Sequence, residues 1–308
     1  MMKSRNLFYT NEYEKKYKRL RIIFIVLLIL FGIFIYKNIN YILFKYFVSY
    51  NYAYTDALDN VYIDALGEDN FKSYAKNFDE MVIAVVSDHI GDAAEDRYTY
   101  LYTPSQYKDS KEKTKEKAEE AEIKELNEDT VYLYLPNMSK YTTEFAKENK
   151  ENYQNYKNIV IDLRDNTGGA LDPTYELLDY FLPKGKLMAA ENTRLFLTSR
   201  KIKSKNNTYF EYENIILLEN SNTASAAETF IMALKENLDN VTVMGEKSFG
   251  KGIGQYTLSL KGGYAVKATV MELETPSGSS IHKSGIEPDV KYVRGDVIKK
   301  ALSYINSK

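Results

Sequence analysis

Ser225 and Lys251 lie on neighbouring turns of the chain and could together carry out nucleophilic chemistry. A serine hydroxyl is a weak nucleophile until a nearby base takes its proton, and a neutral lysine amine can serve as that base. Free lysine titrates near ~10.4, so useful neutrality at pH 7–8 requires its pKa to fall by about three units. Burial lowers a lysine pKa, and Phe249 and the neighbouring glycines add no charge beside Lys251. The pair therefore indicates a nucleophile with its general base.

The elements around this pair are predicted by hydrophobic periodicity in residues 214–255. Residues 214–218 form a short apolar run typical of a strand buried on both faces. A helix follows Ser225, because apolar residues fall on one face at Ala227, Phe230, Ile231, Leu234 and Leu238. Residues 241–244 form a second strand. Ser225 is thus expected at a helix N-terminus and Lys251 on the glycine-rich turn after the next strand.

A Gly-Gly turn follows another predicted buried strand, residues 158–163. Gly168 and Gly169 lack side chains, so a ligand can approach their backbone closely. Exposed N–H groups ahead of the helix predicted near 174–181 would make an anion or oxyanion site. An ordinary turn between a strand and a helix remains the alternative.

Other polar residues in these turns have simpler interpretations. A serine at a helix N-terminus is often only a cap, and Ser221 and Thr223 are interpreted as turn and cap residues. Lys247 is the rival base. His282 is an alternative partner for the serine, although it and His89 are more simply structural.

Residues 245–251 fit the pattern G-x-x-x-x-G-K, which opens a phosphate-binding loop. Such a loop needs Ser or Thr next, to hold magnesium, and then a helix. Gly252 comes next, and the alternating residues 256–260 predict a strand. The sequence therefore argues against nucleotide binding.

Composition limits the remaining possibilities. The 308 residues carry a formal net charge of −2, so no global field attracts nucleic acid. The absence of cysteine excludes thiolate metal sites, disulfides and a cysteine nucleophile. With two histidines, a histidine metal site has little to draw on. We expect no cofactor and no metal.

The N-terminal part of the chain predicts a membrane anchor. Residues 22–36 are uninterruptedly apolar, and Lys and Arg exceed acidic residues before them. We expect a cytoplasmic segment 1–21, a single transmembrane helix 22–42, and the rest outside the cytoplasm. A cleaved signal peptide is the alternative, but no convincing A-x-A cleavage site follows.

Beyond the anchor, three regions are expected. Residues 55–107 are predicted as a helical region, and residues 108–128, rich in Lys and Glu, as a charged connector. Residues 129–308 are predicted as an α/β catalytic domain, with sheet elements at 194–199 and 209–212 among others.

Four segments in this order resemble the carboxy-terminal processing peptidases, exported serine proteases with a Ser–Lys dyad. They are NIVIDLRDNTGGALD, NSNTASAAETF, VMGEKSFGKGIGQ and ETPSGSSIHKSGIEPDV. The resemblance covers about residues 60–290. It implies a crotonase/ClpP-like α/β core beside the helical region and the transmembrane helix. The family usually carries a PDZ domain where this chain has only the connector, too short to build one.

The resemblance also implies residue roles and a function. Ser225 matches the nucleophile, Lys251 the general base and Gln255 the residue that positions the lysine. The backbone N–H groups of Ala226, Gly168 and Gly169 match the oxyanion hole. The implied function is a membrane-anchored serine endopeptidase acting on exported or membrane proteins. A catalytically silent binding or scaffold protein on the same fold is the alternative.

Overall fold

The computed structural model describes residues 2–58, 80–292 and 295–308. Part of the helical region expected at 55–107, residues 59–79, lies outside the described residues. The described residues form a long N-terminal helix, followed by two sheets that meet at a cleft. A short helix docks against the smaller of the two sheets.

The first helix, α1, spans Met2–Lys37. Its segment Tyr13–Lys37 contains an 18-residue stretch with a mean hydropathy of 2.5, none of which is buried in the described protein. The 25 residues of this segment suffice to cross a bilayer, which needs about 20. The helix ends at Lys37, and α2 (Ile39–Asn51) begins after the break at Asn38. Residues 22–37 of the anchor expected at 22–42 thus lie in α1, and residues 39–42 lie in α2.

The helix α2 docks against the protein beyond it. Phe44 and Val48 are fully buried in an apolar cluster with Leu260, Val266 and Ala268. Asn40 is also buried and exchanges two hydrogen bonds with the backbone of Lys261: its Nδ2 donates over 3.1 Å and its Oδ1 accepts over 2.7 Å. The chain that follows α1 is thus an integral part of the fold.

Residues 80–127 lead from this docked region to the larger sheet. Helix α3 spans Glu80–Ala93, strand β1 Tyr100–Tyr102, helix α4 Pro104–Ala118 and strand β2 Glu122–Asn127. Helix α4 starts sharply because Thr103 and Gln106 form a capping box and Pro104 occupies the first turn. The charged connector expected at 108–128 is therefore the rest of α4 followed by a strand, β2, that joins the larger sheet.

The larger sheet has six strands in the order β11-β8-β7-β4-β3-β2. Its strands are β3 (Thr130–Tyr134), β4 (Asn158–Asp162), β7 (Asn214–Glu219), β8 (Val241–Gly245) and β11 (Val290–Lys291), with antiparallel β2 at one edge. The others are parallel, so their carboxyl ends meet at one edge of the sheet.

Helices cover both faces of this sheet. The helices α5 (Lys140–Glu148), α6 (Leu171–Leu178) and α7 (Ala226–Lys235) lie on the side of the main core. The helix α8 (Val297–Ile305) covers the other face, where Val297 and Ala301 pack against Val160 and Ile216. Alternate residues of each buried strand thus enter different cores.

The smaller sheet is antiparallel. Its strands are β5 (Leu187–Thr193), β6 (Arg200–Lys203), β9 (Ile253–Ser259) and β10 (Ala265–Glu274), together with β1. Strand β10 is central, because it pairs with β9 along one side and with β1 and β5 along the other. The sheet elements expected at 194–199 and 209–212 are wrong, since neither segment is a strand.

Replacing Phe44 by Ala tests the docking of α2. Because Phe44 is fully buried, the Phe44→Ala variant should lose about 3–5 kcal/mol of unfolding free energy in urea titrations of the full chain in detergent. Tyr46 on the same helix is 60% exposed, so Tyr46→Ala should change that energy by less than about 0.5 kcal/mol. Equal stability of the two variants would contradict the docking.

Candidate active site

Ser225 lies on the turn between β7 and α7, with a backbone conformation that side chains rarely adopt. Its φ is 59° and its ψ −121°, a strained combination for any residue except glycine. The turn is held to the neighbouring β4–α6 turn, because Ala224 N–H donates to Asn166 O over 3.0 Å and Thr223 Oγ1 donates to Leu163 O over 2.8 Å. The serine side chain is therefore presented at the carboxyl edge of the larger sheet.

The carboxylate of Glu228, fully buried in the first turn of α7, joins the serine turn to the lysine turn. Its Oε2 accepts the N–H of Ser225 and the N–H of Lys251, each over 2.8 Å. Its Oε1 accepts the N–H of Gly250 over 2.7 Å and the hydroxyl of Ser248. One side chain thus fixes the backbone of both predicted catalytic residues. The spacing S-x-x-E of a capping box is the sequence signal that could have revealed it.

Lys251 is half-buried, and its Nζ lies between an amide and an aromatic ring. It donates to Oε1 of Gln255 over 2.9 Å and lies 4.1 Å from the centre of the Tyr98 ring. Burial lowers the pKa of Lys251 to about 8, and the positive charges of Lys267 and Arg97 act in the same direction. Phe249, the apolar residue next to the lysine turn in the sequence, is 44% exposed and lies beneath Arg97. Tyr98 supplies the cover that the sequence did not indicate.

The Gly-Gly turn lies against the serine. A Cβ on Gly168 would come within 2.8 Å of the Ser225 Cβ and 3.0 Å of the Ala226 nitrogen, so only glycine fits there. The N–H of Gly168, one of the expected oxyanion donors, instead donates to Oδ1 of Asn166 over 2.9 Å. Gly169 forms a parallel bridge with Met138 through the flanking peptide groups, so its own N–H points to the opposite side.

Two N–H groups remain for an oxyanion. Within the described ranges, no hydrogen bond uses the N–H of Gly169 or that of Ala226. Ala226 is the first residue of α7, where the helix itself supplies no acceptor for the N–H. Of the three N–H groups expected to form the oxyanion hole, those of Gly169 and Ala226 therefore have no hydrogen-bond partner among the described residues.

Ser225, Lys251, Gln255 and the two glycines line one open cleft of about 1270 Å³. Its outer wall is one face of α4, and the α4 residues at helical spacing that line it are Gln106, Asp109, Ser110, Lys113, Thr114 and Lys117. Asn137 holds this helix in place by donating to Thr114 O over 2.9 Å. The segment expected to be a connector is thus a wall of the cleft.

The alternative residues lie elsewhere. Lys247, the rival base, forms an exposed ion pair with Glu287 at 3.0 Å. Ser221 is exposed, Thr223 binds backbone as a turn residue, and His89 is exposed on α3. His282 lies against the backbone of Gly252 and does not line the cleft. A strand, β9, follows the P-loop-like segment 245–251, as the sequence predicts.

A second buried carboxyl group, that of Glu219, lies at the end of β7. Neither of its oxygens has a hydrogen-bond partner in the described protein. Burial, and then the charge of Glu228, raise the pKa of Glu219 to about 9. The group is therefore protonated at neutral pH, which avoids two like charges close together beneath the site. In the part of the chain that the structure describes, no cluster of three His, Asp or Glu side chains could hold a metal ion.

Comparison with known proteins agrees with this geometry. Residues 129–292, just over half of the chain, match the profile of peptidase family S41. The chain belongs to peptidase family S41. The resemblance to C-terminal processing peptidases inferred from the sequence motifs is confirmed at the level of the family.

Two curated relatives share part of this region. A probable CtpA-like serine protease of Staphylococcus aureus (strain N315) is 39% identical over 137 residues, which cover 44% of this chain and 27% of the relative. A protein of the same description from Staphylococcus haemolyticus is 37% identical over 141 residues, with the same coverage. The match thus spans about a quarter of the length of these relatives.

A solved structure shows the same fold. The lipoprotein from Streptococcus agalactiae superposes with a TM-score of 0.59 at 19% identity, covering 72% of this chain and 82% of that one. The α/β architecture expected from the sequence, an S41 core preceded by a helix apolar enough to span a membrane, is confirmed.

The Lys251→Met variant tests the burial of the amine. At pH 7 the folded protein buries a charge that the unfolded chain keeps in water. This burial lowers the lysine pKa from 10.5 in the free residue to about 8 in the folded protein. A shift of this size corresponds to about 3 kcal/mol, and partial exposure and lost contacts reduce it, so the variant should gain about 1–2 kcal/mol of unfolding free energy. The gain should be full below pH 8 and vanish between pH 8 and 10.5.

Urea titrations at pH 7, 8, 9 and 10 measure this gain. The exposed Lys247→Met variant is the control and should show no pH-dependent gain. A Lys251→Met protein no more stable than the native one at pH 7 would contradict the lowered pKa.

Proposed function

We propose that this chain is a membrane-anchored serine endopeptidase that uses Ser225 as nucleophile and Lys251 as general base. One observation carries the proposal: a strained serine at a helix N-terminus and a lysine with a pKa of about 8 open onto the same cleft. Protein or peptide chains are the proposed substrates, and neither a cofactor nor nucleic acid takes part.

In the acylation step, neutral Lys251 takes the proton of the Ser225 hydroxyl as Oγ attacks the peptide carbonyl carbon. A pKa near 8 leaves a useful fraction of the amine neutral at pH 7–8. The new C–O bond converts the carbonyl into an oxyanion, which the N–H groups of Gly169 and Ala226 bind. Each such donor contributes about 3 kcal/mol to the stability of the transition state.

Collapse of this intermediate breaks the peptide C–N bond. The ammonium of Lys251 gives its proton to the leaving amine and becomes neutral again. A water molecule then transfers a proton to Lys251 as its oxygen attacks the acyl carbon. Breaking of the ester C–O bond releases the acid product, and Lys251 returns the proton to Ser225 Oγ. Gln255 holds Nζ in place through both halves of the cycle.

The proposed location follows from α1. Its apolar side chains are exposed on every face, as in a helix surrounded by lipid. Lys15, Lys16, Lys18, Arg19 and Arg21 precede the apolar run, which favours a cytoplasmic N-terminus and a site on the outer side of the membrane. Exported and membrane proteins would then be the accessible substrates.

The wall formed by α4 is the proposed substrate support in place of a PDZ domain. Lys113 and Lys117 face the cleft from α4, and Lys140 and Lys267 border it from other elements. Of the acidic side chains that line the cleft, Glu191 and Asp172 are paired with Arg200. Asp109 lies on the same face of α4 as the two lysines, and Lys117 is paired with Glu120, so Lys113 is the main cationic group of this face. The α4 side is thus a cationic surface suited to acidic residues of an extended peptide.

The Ser225→Ala variant tests the function. The variant should fold normally, should not react with a fluorophosphonate probe, and should cleave fluorescein-labelled β-casein at least ~1,000-fold more slowly than the native chain. The exposed Ser221→Ala variant should match the native protein in both assays. Equal labelling of the Ser225→Ala variant would refute the assignment, and an unlabelled native chain would favour the silent scaffold.

The Lys113→Glu variant tests the α4 surface. It should lower kcat/KM for peptides with acidic residues by roughly 3–10-fold relative to their amide counterparts, and added salt should reduce the difference. Lys115 is exposed on another face of α4, so Lys115→Glu should leave the ratio unchanged. Identical ratios for the two variants would exclude charge recognition by this face.

A further inference from the structure

A chain of hydrogen bonds extends from Lys251 across strands β9 and β10 of the smaller sheet to Asp96. Gln255 accepts from Lys251 through Oε1 and donates through Nε2 to the hydroxyl of Thr269, 3.3 Å away on the paired strand β10. That hydroxyl donates in turn to Oδ1 of Asp96 over 3.2 Å. Thr269 is fully buried and Asp96 is 3% exposed.

Asp96 ends the chain as an acceptor of four hydrogen bonds. Its Oδ1 also accepts the N–H of Tyr98 over 3.0 Å. Its Oδ2 accepts the hydroxyls of Thr99 over 2.6 Å and of Tyr52 over 3.1 Å. Each of the four partners donates to an oxygen of Asp96, so both oxygens of this carboxylate act only as hydrogen-bond acceptors.

This carboxylate determines which group donates in each hydrogen bond between Asp96 and Lys251. The single hydroxyl proton of Thr269 is committed to Asp96, so the Thr269 oxygen can only accept from Gln255. The amide of Gln255 must then present NH₂ to Thr269 and its oxygen to Lys251. A neutral lysine that donates an N–H to this oxygen cannot direct its lone pair there. The lone pair is left for the cleft, where Ser225 lies.

We propose that Asp96 is a positioning residue, which acts through Thr269 and Gln255 to keep the lone pair of Lys251 directed toward Ser225. The proposal rests on the proposed role of Lys251 as the base. It adds a residue outside the cleft whose charge orients the base without touching substrate.

The hydrogen-bond network also includes Tyr52, at the end of α2. Tyr52 caps α2, whose Phe44 and Val48 dock on the same sheet, and its hydroxyl is one of the two donors to Oδ2 of Asp96. Ala53 N–H donates to Thr269 O over 3.0 Å. The residues that end α2 therefore contribute to the orientation of the base.

The charges around Lys251 make the proposal testable by pH. Lys267 on β10 and Arg97 beside Tyr98 lower the pKa of Lys251, whereas Asp96 and Glu228 raise it. Replacing Asp96 by Asn removes one negative charge and adds an NH₂ donor. The hydrogen bonds through Thr269 and Gln255 can then be donated in the opposite direction. The Asp96→Asn variant should therefore react more slowly, and the acid limb of its pH profile should move to lower pH.

The test uses the full chain in detergent and the rate of covalent modification by a fluorophosphonate, because that rate reports activation of Ser225 without a known substrate. Thr269→Val keeps the shape of the buried side chain but removes the hydroxyl. It should lower the maximal inactivation rate about 10-fold or more and change the half-saturating probe concentration less than about twofold. Thr269→Ser restores the hydroxyl and should recover the rate to within about threefold.

Matched variants separate orientation from general destabilisation. Thr242→Val, a buried threonine on β8, should keep the native rate. Tyr52→Phe should lower the rate about two- to fivefold, whereas Tyr54→Phe should not, because the Tyr54 hydroxyl makes no hydrogen bond among the described residues.

The outcomes distinguish the two proposals. A native rate in Thr269→Val, a Thr269→Ser rate as low as that of Val, or an Asp96→Asn acid limb that does not move would overturn the positioning role. Full reactivity in Lys251→Met would instead overturn the proposed dyad, whatever the Thr269 variants do.

Discussion

The geometry of the site depends on one buried carboxylate. Glu228 has no access to water, and an unpaired charge there would cost several kcal/mol, so its oxygens must be fully occupied by donors. Three of the four donors are backbone N–H groups, from Ser225, Gly250 and Lys251. Backbone donors cannot rotate away as side chains can. The separation of the serine turn from the lysine turn is therefore set by the main chain, and this rigidity also retains the strained φ of Ser225.

The lysine must meet two opposed requirements. As the proposed general base, it must be shielded from water so that its pKa falls, yet it must also face an open cleft that substrate could enter. The structure meets both by burying one side of Nζ against the Tyr98 ring and Gln255, and leaving the other side toward the cleft. The negative charges of Asp96 and Glu228 oppose the lowering, so the pKa stays near 8. At that value the amine can take a proton from serine and still return it to a leaving amine.

Local pattern was sufficient to predict the segments that carry the site, and insufficient for the contacts that hold it together. The strands β4, β7 and β8, the helix after Ser225 and the Gly-Gly turn were predicted because each depends on a short run of residues. The strands β5 and β6 were missed, since β5 pairs with β10 far along the chain and β6 pairs only with β5. Asp96 and Thr269 are 173 residues apart, and no spacing in the sequence joins them. The free N–H of Gly169, rather than that of Gly168, depends on how Asn166 folds back, which periodicity does not describe.

The absence of an inserted domain between β1 and β3 changes how the cleft is built. Helix α4 begins one residue after β1 and is followed by β2, which pairs antiparallel with β3. The helix is thus tethered at both ends to the two sheets, and Asn137 ties its middle to the loop before α5. A wall fixed at three points cannot swing as a separately folded domain could. If the proposed peptidase activity holds, access to Ser225 depends on the shape and charge of this surface, and discrimination between peptides would arise from contacts along α4.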